Sequence, residues 1–131
     1  MAIDKEVGYW REEIERSMAG ARTVKAGGVL YMTGVTSVDD NGKVVGAGDM
    51  EAQLKQIYAT LAKILAKNNL TFEHVVKENI YVTDGKAFFA AHHIRTDIYK
   101  GLLPPAITGV EVAGLFNPEL LVEIDLTVIC N

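Results

Sequence analysis

The sequence predicts an α+β fold in which one mixed β-sheet carries two helices packed on one face. Three observations lead there. Residues 21–34 (ARTVKAGGVLYMTG) hold two β-prone runs around Ala26-Gly27-Gly28, the signature of a hairpin. Beyond Asp49, apolar residues recur at helical spacing over a long stretch, which is the pattern of a helix with one buried side. Further on, residues 76–83 and 122–128 alternate between apolar and polar, as half-buried strands do.

Taken in order, the first hairpin is followed by the turn signal Asp39-Asp40-Asn41-Gly42 and a brief strand at 43–45. Asp49 suits a helix N-cap, because its side chain can accept from a free backbone N–H of the first turn. Met50, Leu54, Ile57, Tyr58, Leu61, Ile64 and Leu65 then form one stripe, with Lys55, Lys63 and Lys67 off it. That helix should lie on the sheet. Thr71 caps a short turn, and VKENIYVT at 76–83 is a strand. Residues 86–102 return to a helical pattern that Pro104-Pro105 ends, since proline cannot continue a helix. Residues 102–130 read as a strand, a tight connection and a second strand. Both helices cover one face, and the other, partly apolar, is expected to be buried by self-association.

The chain has 131 residues, 49% hydrophobic and 23% charged, which suits a single domain spanning 1–131. Its net charge is −4 with scattered basic residues, so the stripe that grips a phosphate backbone is missing and no nucleic-acid partner is expected. The start, MAIDKEVGYWREEIERS, is too charged for a secretory signal, and no apolar run reaches membrane-span length. A cytoplasmic protein with no membrane partner is expected. The lone Cys130 cannot form an internal disulfide and reads as core filler. Metal-ligand spacings and phosphate loops are missing from the sequence, so neither a metal nor a cofactor is expected.

Three polar residues stand where apolar or solvated ones are usual. On the second helical stretch, Phe88, Ala91, Tyr99 and Leu102 define a stripe into which His92 and Arg95 fall. Such a histidine is ordinarily a core or interface residue, and such an arginine packs its stem while the guanidinium snorkels outward. A buried cation nonetheless needs an anion, for which Glu111, Glu123, Asp125 or a bound carboxylate are candidates. In the last strand Glu123, Asp125 and Thr127 share the face opposite Val122, Ile124, Leu126 and Val128. A solvated face is the ordinary meaning; the functional one is that Glu123 holds a water or accepts a proton in a cleft.

Four stretches carry a resemblance to a known family: GARTVKAGGVLYMTG at 20–34, GDMEAQLKQIYATLAKIL at 48–65, VVKENIYVTD at 75–84 and PPAITGVEVAGLFNPELLVEIDL at 104–126. Together the chain resembles the reactive intermediate deaminase (Rid, or YjgF) superfamily over nearly its whole length. The resemblance implies a chorismate-mutase-like fold, a homotrimer whose sheets close into a central barrel, and ligand pockets at the subunit clefts. The last stretch is similar to the family's terminal hairpin.

In deaminase members, an arginine after the proline-alanine pair binds the carboxylate of an enamine or imine, and water then releases ammonia. Ile107 stands at that arginine, and the tyrosine placed before the first strand is replaced near Gly20. The resemblance leaves Glu123 at the water-positioning glutamate, Thr33 at the pocket hydroxyl and His92 at a pocket asparagine. Arg22 and Arg95 are the candidates to supply positive charge from another direction. The chain looks most similar to branches lacking the arginine. Three functions compete: a deaminase for an unusual enamine or imine, a small-molecule binding or sensing trimer whose ligand is a candidate carboxylate, and a nucleic-acid enzyme. The last rests only on an old family label of ribonuclease or translation inhibitor, and the acidic balance opposes it.

Overall fold

The computed structural model describes residues 3–130. A short strand β1 (Glu6–Gly8) and helix α1 (Glu12–Ser17) come first. The start of α1 is held by Glu15, whose Oε1 accepts from the backbone N–H groups of Trp10 (2.8 Å) and Arg11 (3.1 Å). The expected hairpin follows as β2 (Thr23–Ala26) and β3 (Val29–Met32). Its two-residue turn places Gly27 and Gly28 at φ +58° and +77°, the left-handed pair that matches the twist of the flanking strands and that glycine adopts without penalty.

After β4 (Val35–Thr36) comes α2 (Met50–Lys67), in which Asp49 accepts from the Ala52 N–H at 3.0 Å as the cap should. All seven residues of its predicted stripe are buried. They pack against Leu30, Ile80, Val122, Ile124, Leu126 and Val128, the apolar side of the sheet. Gln53 is fully buried on the same helix. Its amide donates to the carbonyls of Gly46 (3.0 Å) and Glu119 (2.9 Å) and accepts from the Leu121 N–H (2.8 Å). Every polar atom of that side chain thus has a partner, and the segment leading into the last strand is pinned to the helix.

Three features of the sequence reading are corrected. The brief strand at 43–45 is only an isolated bridge between Val38 and Val44. The helical stretch 86–102 is two short helices, α3 (Gly85–Ala90) and α4 (His93–Ile98). Ala91, at φ −103° and ψ 7°, ends the first. With the break, Phe88 and Ala91 stay in the core while Arg95 reaches the middle of the sheet.

The terminal strands are also not a hairpin. Strand β6 (Ala106–Glu111) lies parallel to β5 (Val75–Val82), and β7 (Val122–Ile129) runs antiparallel on the other side of β5. The sheet order is β1-β2-β3-β7-β5-β6, with β4 also paired to β7. A parallel β5–β6 pair needs a crossover, which α3 and α4 supply over the sheet face. The apolar side of β7, with Val122, Ile124, Leu126 and Val128 buried, then fits best in the middle of the sheet rather than outside β6. The face away from the helices is more polar than expected. It carries Lys77, Asn79, Tyr81, Glu123, Asp125 and Thr127 at matching register positions, and its exposed apolar members include Tyr31 and Val110.

Candidate functional site

Glu123 lies one residue into β7, opposite Tyr81 of β5 and Thr36 of β4. Strand alternation turns it away from the helices, and it is half-buried. Its carboxyl group rests on Gly34, where a Cβ would overlap Oε2, Cδ and Cγ together. Only glycine permits that approach. Burial first, then the charge of Asp125, push the Glu123 carboxyl above the ordinary carboxylate range, while Arg22 pulls it back. Asp125 accepts from Asn79 Nδ2 at 2.9 Å. The charge of Asp125, followed by partial burial, raises the Tyr81 phenol as well.

Beside Glu123 lies a shallow hollow of about 210 Å³ lined by Tyr81, Val112, Gly114, Leu115, Phe116 and Glu123 itself. Phe116 is fully exposed, at 102%, on the connection between β6 and β7. It was not singled out in the sequence, where Leu115-Phe116 reads as any apolar pair before a turn.

Arg22 touches the other side of this arrangement. Its Nε donates to Glu15 Oε2 at 2.9 Å and its Nη1 to the Gly34 carbonyl at 3.2 Å. Gly34 therefore contacts both Arg22 and Glu123. Arg22 opens into a separate polar hollow of about 130 Å³, which it lines with Trp10, Arg11, Thr36, Asp39 and Lys63. Thr33 is exposed and donates from Oγ1 to the Ala21 carbonyl at 2.7 Å.

The second group of expected residues lies elsewhere. Arg95 donates from Nε to Glu78 Oε2 at 2.5 Å, and Glu78 alternates with Tyr81 so that it faces the helices. Arg95 and Glu123 thus occupy opposite faces of the sheet, and the anion for Arg95 is Glu78 rather than Glu111, Glu123, Asp125 or a bound carboxylate. Tyr58 completes the cluster by donating to Glu78 Oε1 at 3.0 Å. Burial pushes the Glu78 carboxyl up, against the pull of Arg95 and Tyr58. The His92 ring packs against both Phe88 and Phe89, with centroids 5.6 and 6.1 Å away. Ile107 is 47% exposed on edge strand β6, at the register position of Glu78. Within one chain, then, Arg22 and Glu123 meet across Gly34 and the Thr33 N–H donates to the Arg22 carbonyl at 2.9 Å, while His92, Arg95 and Ile107 lie apart from them. Among the described residues no cluster of three His, Cys, Asp or Glu is placed to hold a metal, and no helix is long and apolar enough to cross a membrane.

A mixed sheet with its helices on one face, in this strand order, is the chorismate-mutase-like fold of the Rid proteins. A family model described as endoribonuclease L-PSP matches residues 14–130, and the chain belongs to that family, the Rid/YjgF superfamily. YyfA from Yersinia pestis, a Rid-family protein of unknown function, is 25% identical; the match covers 96% of this chain and 99% of that one, with a TM-score of 0.86. Rv2704 from Mycobacterium tuberculosis, of the YjgF/YER057c/UK114 family, is also 25% identical, over 96% and 99% of the two chains, with a TM-score of 0.80. Yeast Mmf1, at 19% identity over 98% and 97% of the chains and a TM-score of 0.79, shares the fold.

Proposed function

We propose that the chain hydrolyses a small enamine- or imine-type metabolite at Glu123, in a pocket completed where three copies of the chain meet. The supporting observation is the setting of Glu123: half-buried over Gly34, raised in pKa and open to a hollow. A carboxyl group that burial holds above its ordinary range is a better proton acceptor once ionised, and it can hold a water and take its proton. Water adds to the carbon of the C=N bond, the proton moves to nitrogen, and the tetrahedral carbon then releases ammonia and leaves a carbonyl. Positioning the imine beside a held water supplies much of what the reaction needs. Thr33, His92 and Ile107 are proposed to line the pocket contributed from more than one copy.

Ile107 makes rapid hydrolysis of 2-aminoacrylate unexpected. Without a guanidinium at that position, a carboxylate buried in the site is left unpaired, at a cost of about 2–5 kcal/mol. The test is ammonia release from imines generated in situ, with the Glu123→Gln variant beside the wild type. Turnover that survives the substitution overturns the reading. Light scattering is expected to give three times the 14.3 kDa chain mass, and a monodisperse monomer at micromolar concentration would sink the shared pocket.

A second reading, a small-ligand binding or sensing trimer without turnover, is favoured by the commitment of Arg95 to Glu78 and of Arg22 to Glu15. Saturable binding with no ammonia release selects it. The family's ribonuclease description is not carried over, since the net charge of −4 with scattered basic residues offers no track for a phosphate backbone.

A further inference from the structure

The hollow beside Glu123 has a chemical bias that follows from what lines it and what does not. It is lined by Val112, Gly114, Leu115, Phe116 and Tyr81, with one acid, Glu123. An apolar cavity of roughly 150 Å³ binds benzene, and this hollow has about 210 Å³. It has room for a ring or a branched alkyl group. The fully exposed Phe116 is the natural face for such a group to stack on.

The nearest charges along β7 are both acidic. Asp125 stands two residues along β7 on the same face, and each of the two acids is felt at Tyr81. Among the described residues lining the hollow none is a cation. The cations that could reach toward it are already committed: Arg22 to Glu15 and the Gly34 carbonyl, Lys77 to Thr108, and Arg95 to Glu78 on the opposite face. An anion entering here would meet two carboxyl groups, with Arg22 on the far side of Gly34 already paired to Glu15.

We propose that the Glu123 hollow selects a ligand with an apolar, ring-sized body and a neutral or cationic nitrogen, and rejects a carboxylate. This rests on the proposed function and narrows its substrate class to imines and enamines that lack an acid group. Glu123 then serves two ends: it meets the nitrogen of the ligand and holds the water beside it.

The test uses three probes of one size, benzylamine, benzyl alcohol and benzoate, titrated into the full chain by calorimetry at pH 7.5. Benzylamine is expected to bind on the order of tenfold more tightly than benzoate, with benzyl alcohol between, as one charge contact at a partly exposed site implies. Glu123→Gln should remove most of that difference. Phe116→Ala, at a residue that packs on nothing in the chain, should weaken benzylamine and benzyl alcohol alike. Benzoate binding as tightly as benzylamine overturns the inference; if it also depends on Glu123, the proposed function stands. A preference for benzylamine that persists in Glu123→Gln overturns the inference too. Failure of all three probes to bind overturns the inference, and ammonia release that depends on Glu123 then leaves the proposed function standing.

Discussion

Arg95 and Glu78 form an ion pair at 2.5 Å between α4 and β5, with Glu78 wholly shielded from solvent. Tyr58 donates to the second carboxyl oxygen, and the Arg95 guanidinium lies 4.8 Å from the centre of the Tyr99 ring. The pair belongs to the packing between helices and sheet, on the face away from Glu123.

Removing Arg95 alone should therefore be costly. Arg95→Leu leaves Glu78 buried and uncompensated, with an expected loss of about 3–5 kcal/mol in denaturant unfolding. Replacing both residues by leucine should recover most of it, because the apolar pair leaves no charge to desolvate. The single variant's deficit should narrow as pH falls, since a proton then neutralises Glu78. A double variant no more stable than Arg95→Leu would contradict this account.

Glu123 gives a second pH effect, with its own sign. Its folded pKa is raised above the unfolded value, so the folded state holds the proton more tightly. Its contribution to stability is fully present below the unfolded pKa of about 4.3 and is lost as pH rises through the folded value. The melting temperature of the wild type minus that of Glu123→Gln should fall across that window, by an amount moderated by the partial exposure of the group. A flat difference would show that the carboxyl is not perturbed.

Gly34→Ala tests the approach of carboxyl to backbone. The new methyl group meets the Glu123 side chain at three atoms, and the flexible carboxylate must swing away. Expected is a loss of function as large as that of Glu123→Gln, with a stability cost of only about 1–3 kcal/mol. Unchanged activity would mean that the seat of Glu123 over Gly34 does not matter.

Asp49→Ala should cost about 0.5–2 kcal/mol, because its side chain holds a backbone N–H at the start of α2. Thermal melts will show this without any change in ligand preference, since the cap lies outside the Glu123 hollow.

Helix α2 was legible because one strong cap and an uninterrupted stripe agree, and all seven stripe residues are buried. The β2–β3 hairpin was legible because two glycines need left-handed backbone at one place. Elements that depend on distant partners were harder to read. Strand β1 and helix α1 are short and charged, held by Glu15 through contacts that no local pattern encodes. The break at Ala91 has no glycine or proline to announce it. Glu78 shares the inward face of its strand with Ile80 and Val82, and the partner that makes a carboxyl group tolerable there, Arg95, comes from a helix across the core. The same holds for the site. Glu123 could be named from its strand and from the family resemblance, whereas its neighbours Gly34, Tyr81 and Phe116 come from three other segments and meet only in the fold.

Strand β7 pairs with β3, β4 and β5 yet follows all three in the chain. During synthesis the earlier strands emerge with the middle of their sheet missing, and the buried side of α2 lacks Val122, Ile124, Leu126 and Val128 to pack on. The contacts that close the core span much of the chain, so its contact order is high and folding should be slow compared with a helical protein of this length. Until β7 arrives, the facing edges of β3 and β5 are open to strands of other chains. Rapid synthesis should therefore favour mispairing at those edges until β7 is in place.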